Sequence, residues 1–311
     1  MSDAPRLLEV APPEAGRRLD VFLAERLGLS RAQTRRLLAR GVVRLDGREL
    51  SERAKGLVVR SGELVAVAPF TPPAAQRAQP EPDQPLRELA SGPGWIALDK
   101  PAGVPVHPLE PDQRGTLLAA LLARHPEIHG VGEGALRSGV VHRLDVDTSG
   151  VVLFALEPVR WQQLRRAFAE HRVEKRYRAL VHGHLSGSGD LELPLLIARH
   201  RPARVRVASE SEAAAARGVW RTRLHWQSLE LFDGATLLEV RPLTGFLHQI
   251  RASLAHLDHP LLGDRAYGAP ATAGEERHLL HAASVAFEDV RAESPDAADF
   301  AARVAALREG R

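Results

Sequence analysis

The stretch GVVHRLDVDTSGVVLFAL (139–156) decides the reading of this chain. Two apolar, valine-rich runs read as strands. Between them HRLDVDTSG forms a polar turn that gathers His142, Arg143, Asp145, Asp147, Thr148 and Ser149 within eight residues. Aspartate, threonine, serine and glycine are turn formers in their own right, so the segment can be a loop held by its own hydrogen bonds. Two carboxylates, an arginine and two hydroxyls can equally form a site. The residues alone leave both readings open.

Three further segments lie outward from it. WIALDKPAGVPVHP (95–108) is an apolar strand entering a Gly/Pro turn that carries one lysine and one histidine. EKRYRALVHGHL (174–185) is strand-like and holds Tyr177, one of two tyrosines in the chain. In EVRPLTGFLHQIRASLAHLDHPLLGDRAYG (239–268), Leu243 and Thr244 lead into a helix with Ile250, Leu254 and Leu257 on its buried stripe. Arg251 falls one position off that stripe. Two scaffold helices complete the pattern. One starts at Pro158 and turns Trp161, Leu164 and Phe168 inward; the other opens at Ser294-Pro295 and buries Phe300, Val304 and Leu307.

Taken in order from Trp95 to Phe287, these segments resemble the RluA-type RNA pseudouridine synthases. HRLDVDTSG is similar to that family's signature, and KRYRALVHG and RPLTGFLHQIR…HPLLGDRAYG to its next two motifs. The resemblance implies an α+β fold round a mixed, largely antiparallel central sheet. It makes Asp145 the catalytic aspartate, Tyr177 the ring that packs on the target base and Arg251 the basic partner of the aspartate. It also makes Arg143 and His142 substrate-side residues, Arg143 helping to hold the nucleotide out of its stack. Asp147 is read as bracing the turn. Two departures stand out. Phe246 and Leu247 occupy positions where the family commonly has arginine and threonine, and ALEP (155–158) lacks a usual lysine.

The implied reaction breaks the bond from uracil nitrogen to ribose, turns the base and rejoins it through carbon. A carboxylate suffices, attacking either the anomeric carbon or the uracil ring. Burial beneath a base disfavours a charged carboxylate, and a nearby arginine opposes that. No cofactor is called for. Fourteen histidines form close pairs but no HExxH, and no carboxylate stands at ligand spacing, so no metal is expected.

The N-terminal region has a different texture. Residues 17–60 carry twelve basic and five acidic side chains, whereas the whole chain of 311 residues is only +3. Leu19, Phe22, Leu23 and Leu27 make one helical stripe ended by Gly28, and Ser30 with Gln33 reads as a capping box for a second helix. That helix buries Thr34, Leu37 and Leu38 and turns Arg31, Arg35, Arg36 and Arg40 outward. VVRLDG and GELVAVA follow as short strands. The order of parts resembles a small α/β RNA-binding module of the ribosomal-protein-S4 type, which implies RNA contacts through Arg31, Arg35 and Arg36. The expected organisation is therefore an S4-like module at 14–70, a Pro-rich linker at 71–90 and a catalytic domain at 91–311.

Cysteine is absent, which excludes disulfides, thiolate nucleophiles and cysteine-based zinc sites. No apolar run reaches the roughly 18–20 residues a membrane helix needs, and MSDAPRLLEV lacks a secretory layout. A cytoplasmic monomer acting on RNA, ribosomal RNA ahead of transfer RNA, is the expectation. The rival is a non-catalytic RNA-binding or ribosome-assembly factor.

Overall fold

The computed structural model describes residues 4–72, 75–200, 202–270 and 275–310. The chain divides into two compact units, one up to residue 73 and one from residue 74 onward.

The first unit contains β1 (Arg6–Glu9), α1 (Leu19–Leu27), α2 (Arg31–Ala39), β2 (Val43–Leu45), β3 (Arg48–Glu49) and β4 (Leu64–Val67). The strands form an antiparallel sheet in the order β1-β4-β2-β3. Gly28 ends α1 in the left-handed conformation at φ 65°, where glycine carries no steric penalty. Ser30 and Gln33 form the reciprocal capping box at the start of α2. Leu19, Phe22, Leu23, Leu37 and Leu38 pack with Val43, Val65 and Val67 into a closed core.

The second unit contains β5 (Arg87–Gly92), β6 (Trp95–Lys100), α3 (Leu117–Arg124), β7 (Ser149–Ala155), α4 (Pro158–Ala169) and β8 (Glu174–His182). It continues with β9 (Ser188–His200), β10 (Ala203–Val207), α5 (Glu210–Ala215), β11 (Val219–Phe232) and β12 (Ala235–Pro242). α6 (Gln249–His256), β13 (Leu280–Phe287), β14 (Val290–Glu293) and α7 (Ala298–Arg308) complete it. The sheet runs β10-β9-β11-β12-β8-β13-β7-β6-β5, with β14 added to β13. Among the described residues every pairing in this sheet is antiparallel except β13 with β7, so the fold is α+β on a mixed, mostly antiparallel sheet.

Local chemistry explains the central strand. Every residue of β7 is buried, as its unbroken apolar run demands. At its start, Gly150 adopts φ 111°, and a Cβ there would lie 2.2 Å from the Ala282 carbonyl oxygen on β13. The glycine of the polar turn is thus what lets the parallel partner approach.

The boundaries differ from the expected 14–70, 71–90 and 91–311 in two places. β1 lies before residue 14 and pairs with β4. In the Pro-rich stretch, Ala78 is buried against Ile96 and Leu118, Glu81 accepts the Gly115 N–H through its carboxylate, and β5 begins at Arg87. Much of the supposed linker is therefore packed onto the second unit. The terminal helix begins at Ala298, three residues past Pro295, with Phe300 and Val304 buried as expected.

Gly150→Ala should destabilise the second unit by about 2–4 kcal/mol, from a positive φ and a backbone clash together. Chemical denaturation of the variant measures this directly.

Candidate active site

The polar turn between residue 142 and β7 is fixed from three sides. Lys100, at the end of β6, is fully buried, and its Nζ donates to the carbonyls of Pro101, Val104 and Val146 at 2.9, 2.8 and 2.7 Å. Burial pulls this lysine down to about 7, while the charges of Asp147 and Asp145 oppose the fall. Three carbonyl acceptors for three ammonium protons make the charged form the one the loop is built around. From β13's side, Thr148 Oγ1 pairs with His278 Nε2 at 2.8 Å, and Ser149 Oγ with His281 Nδ1 at 3.0 Å. The other ring nitrogen of His281 faces the Ser294 carbonyl, so it carries the proton and Ser149 donates to Nδ1. Arg277 donates to the backbone oxygen of Asp147, whose side chain is exposed. The turn is braced, by Lys100, Thr148 and Ser149 and by the Asp147 backbone.

The bracing presents Asp145. Its Oδ2 accepts from Arg251 NH1 at 3.1 Å and lies 3.8 Å from His248 Nε2. Arg251 is held from behind by Asp264, which accepts from Nε at 2.7 Å and NH2 at 2.8 Å. The side chain of Asp264 is 1% exposed and that of Arg251 10%, against 21% for Asp145. One guanidinium therefore serves two carboxylates, with its fork spent on the buried one and a single N–H reaching the half-exposed one. Burial alone would lower the Arg251 pKa, but the two carboxylates outweigh it and raise it.

A second set of groups approaches the same oxygen. The buried Tyr267 hydroxyl accepts from the Val205 N–H at 2.9 Å and meets His248 Nδ1 at 2.9 Å. The hydroxyl thus ties the His248 ring to the backbone of β10 and turns its Nε2 toward Asp145. Burial holds His248 below its usual pKa, so the ring is neutral at pH 7. His248 immediately precedes α6 at φ 50°, a left-handed conformation that a non-glycine residue adopts at a cost of about 1–3 kcal/mol. Both contacts fall on Oδ2. No hydrogen bond among the described residues ends on Oδ1.

Tyr177 lies on β8 opposite Val240 and Ala282, with its ring packed among Ala179, Val240, Ile250 and Leu254. Burial, and then the charge of Asp145, push its phenol well above the usual range, so it stays protonated. Arg143 is exposed and makes no ion pair among the described residues. Asp145 and Arg251 are thus in direct contact, Tyr177 packs with Ile250 and Leu254 of the helix that carries Arg251, and Arg143 is exposed.

His142 does not meet its expectation as a substrate-side residue. Its ring stacks on Phe168 at 4.7 Å, and Nε2 accepts the Leu153 N–H at 2.9 Å. Burial brings it down to about 3, so it is a neutral strut of the scaffold. Phe246, where arginine is usual, stacks on Trp220 instead of reaching Asp145. Asp264, His248, Tyr267 and Lys100 were not singled out from sequence. The first three lie within HQIR…GDRAYG, and Lys100 is one of only three lysines, which was the available signal. Among the described residues, no cluster of three or more His, Asp or Glu side chains could hold a metal ion.

In the first unit, Arg31 and Arg35 each reach Asp20 Oδ2, at 3.3 and 3.4 Å, and Arg18 reaches its Oδ1 at 3.1 Å. Asp20 has no exposed side-chain surface, while the three arginines are 38–54% exposed. Arg36 is exposed and without an ion pair among the described residues.

Four buried or half-buried histidines set an acid limit. Burial depresses His142 to about 3 and His278 to about 2, and moves His107 and His281 in the same direction. The unfolded chain takes up protons near pH 6.5 that the native state refuses, so stability falls as pH drops from about 6.5 toward 3. The melting temperature should decline through that window. In His142→Gln/His278→Gln the slope should be shallower; a slope equal to that of the parent chain would contradict the assignment.

Residues 94–256 match the family model described as RNA pseudouridylate synthase. An uncharacterised RNA pseudouridine synthase of Mycobacterium bovis is 38% identical over 91% of this chain and 90% of its own length. A ribosomal large subunit pseudouridine synthase D of Xanthomonas campestris is 35% identical over 95% and 90%. Among solved structures, human RNA pseudouridylate synthase domain containing 4 superposes with a TM-score of 0.56 at 23% identity, covering 71% of this chain and 93% of that one. The likeness to that structure is one of fold. Sequence motifs, fold and relatives agree: the chain belongs to the RNA pseudouridylate synthases, in the branch of the RluA-type enzymes, and is an isomerase of RNA uridines.

Proposed function

We propose that this synthase isomerises uridines in structured ribosomal RNA with Asp145 as its nucleophile. The observation that carries the reading is the asymmetry of the Asp145 carboxylate. Arg251 donates to Oδ2 with His248 Nε2 3.8 Å from it, and no hydrogen bond among the described residues ends on Oδ1. A carboxylate so held keeps one oxygen oriented and charged by its neighbours and offers the other to an incoming carbon. Its attack is on the anomeric carbon or on the uracil ring, and on either route the bond from N1 to the ribose breaks and the base turns. C5 then joins the anomeric carbon, the Asp145 carboxylate leaves the carbon it had attacked, and the C5 proton departs as N1 takes one up.

The target base has to leave its stack, at a cost of a few kcal/mol. Tyr177 supplies an apolar ring with a protonated hydroxyl for the base to rest on. Arg143, exposed and without an ion pair among the described residues, suits a phosphate or the space the base vacates. Ribosomal RNA is favoured because relatives similar over nearly their whole length, in Xanthomonas campestris and Zymomonas mobilis, carry the name ribosomal large subunit pseudouridine synthase D.

The first unit fits this reading as an S4-like RNA-binding module. Burial would raise the Asp20 carboxyl, but hydrogen bonds from Arg18 and Arg31 outweigh it and hold it low. A permanently charged, buried aspartate thus keeps Arg18, Arg31 and Arg35 spread as a fan, with Arg36 beside them. Such a fan suits phosphate contacts, which fix position more than sequence.

The test is pseudouridine mapping on unmodified ribosomal and transfer RNA incubated with purified protein without added metal. The parent chain should produce pseudouridine at discrete positions of ribosomal RNA, and Asp145→Asn should produce none while binding that RNA within about twofold. Conversion in transfer RNA alone would move the substrate. Conversion by Asp145→Asn would remove the nucleophile.

A further inference from the structure

Trp220, at the start of β11, is 59% exposed, although tryptophan is among the side chains with most to gain from burial. Its indole is stacked on Phe246, with ring centroids 5.5 Å apart and planes 28° from parallel. Phe246 is in turn fixed. Gln249 Oε1 accepts from the Phe246 N–H and from Thr244 Oγ1, and Gln249 Nε2 donates to the Arg223 carbonyl. The pair is therefore a preformed ledge, with one face of the indole resting on a rigid loop.

The register of the sheet says which way the ledge faces. Trp220 pairs with Leu195, and residues directly opposite across antiparallel strands share a face. Leu195 is buried with Ala252 of α6 and with Tyr267, so Trp220 lies on the face that α6 covers. Tyr177 is on that same face, since it pairs with Val240, and Val240 with Trp226, six residues further along β11. Six residues of strand span roughly 20 Å at about 3.3 Å each. The ledge thus stands on the side of the sheet that carries Tyr177, some distance along it.

Two arginines unpaired among the described residues lie on this side. Arg204 is exposed, lies 5.7 Å over the Tyr267 ring and has no carboxylate partner among the described residues. Arg265, in the same turn as Tyr267, is likewise exposed and unpaired among them. An aromatic platform with unneutralised arginines suits single-stranded nucleic acid, where every base offers a π-face and every linkage a phosphate. One indole and one phenyl ring are far too small for a protein interface, which needs about 800 Å² from each partner.

We propose that the Trp220–Phe246 ledge is a stacking subsite for one unpaired base of the RNA substrate, several nucleotides along the strand from the uridine that enters the Asp145 site. Arg204 meets the backbone between the two. The proposal rests on the functional reading above and adds a second anchoring point to it. Phe246, which replaces the family's usual arginine, then acts as the support of this subsite.

The experiment uses the full chain and two probes: the RNA that the parent chain converts, and a mixed-sequence single-stranded RNA whose binding is followed by fluorescence anisotropy. Trp220→Ala should weaken binding of both about tenfold. On the converted RNA it should raise KM by a similar factor and leave kcat within twofold. Trp220→Phe should restore most of the affinity, and ultraviolet crosslinking should join the RNA to the peptide containing Trp220. Affinity within twofold of the parent chain for both probes would overturn the proposal, as would a loss confined to kcat. Should Trp220→Ala melt much earlier, Phe246→Leu, which removes only the supporting ring, takes its place with the same expectation. If the parent chain converts no RNA at all, the functional reading fails, and the ledge is still judged by the anisotropy measurement.

Discussion

The two-pronged pair between Asp264 and Arg251 is the constraint on which the site depends. A guanidinium buried in α6 is costly, because removing charge from water is repaid only by close, well-aligned partners. Asp264 supplies two such bonds and fixes the plane of the guanidinium. With two of its five N–H groups fixed on Asp264, the guanidinium turns NH1 toward Asp145 Oδ2. Lys100 does the corresponding work from the other side by tying three carbonyls of the flanking loops to one ammonium. The Asp145 carboxylate is thus placed by two buried cations, each of which has its main hydrogen-bond partners elsewhere.

What could be read from the sequence was local. The capping box at Ser30 and Gln33, the end of α1 at Gly28 and the start of α4 at Pro158 each depend on neighbours within a few residues. The pairing of Asp145 with Arg251, which the resemblance implies, is present in the fold. The rest depends on long-range pairing. β1 is a four-residue strand with no buried side chain, so its pattern gives no periodic signal until β4 lies beside it. The prolines at 72–85 look like a linker, yet Ala78 among them is core because α3 and β6 cover it. His142 sits in the motif beside Arg143, but its ring turns to Phe168, 26 positions away, and becomes scaffold. Asp264 is recognisable only once it is seen 13 positions from Arg251 and facing it.

The replacement at 246 also finds its reason in this arrangement. With Arg251 saturated by Asp264 and directed at Asp145, the carboxylate has its cation without help from residue 246. Phe246 and Leu247 are then free to join the apolar cluster of Leu193, Leu195 and Val205 beneath the loop. The substitution changes what lines the approach to the site and leaves the contacts of Asp145 intact.

The most direct test is the single-turnover rate of pseudouridine formation by Asp264→Asn, measured on saturating RNA and compared with that of the parent chain. Asparagine keeps the shape but loses the charge that fixes the fork, so Arg251 should wander and Asp145 lose its orientation. Displacing a reacting group by about 1 Å can cost on the order of 100-fold. The account predicts a fall of that order with RNA affinity unchanged. A rate equal to that of the parent chain would contradict it.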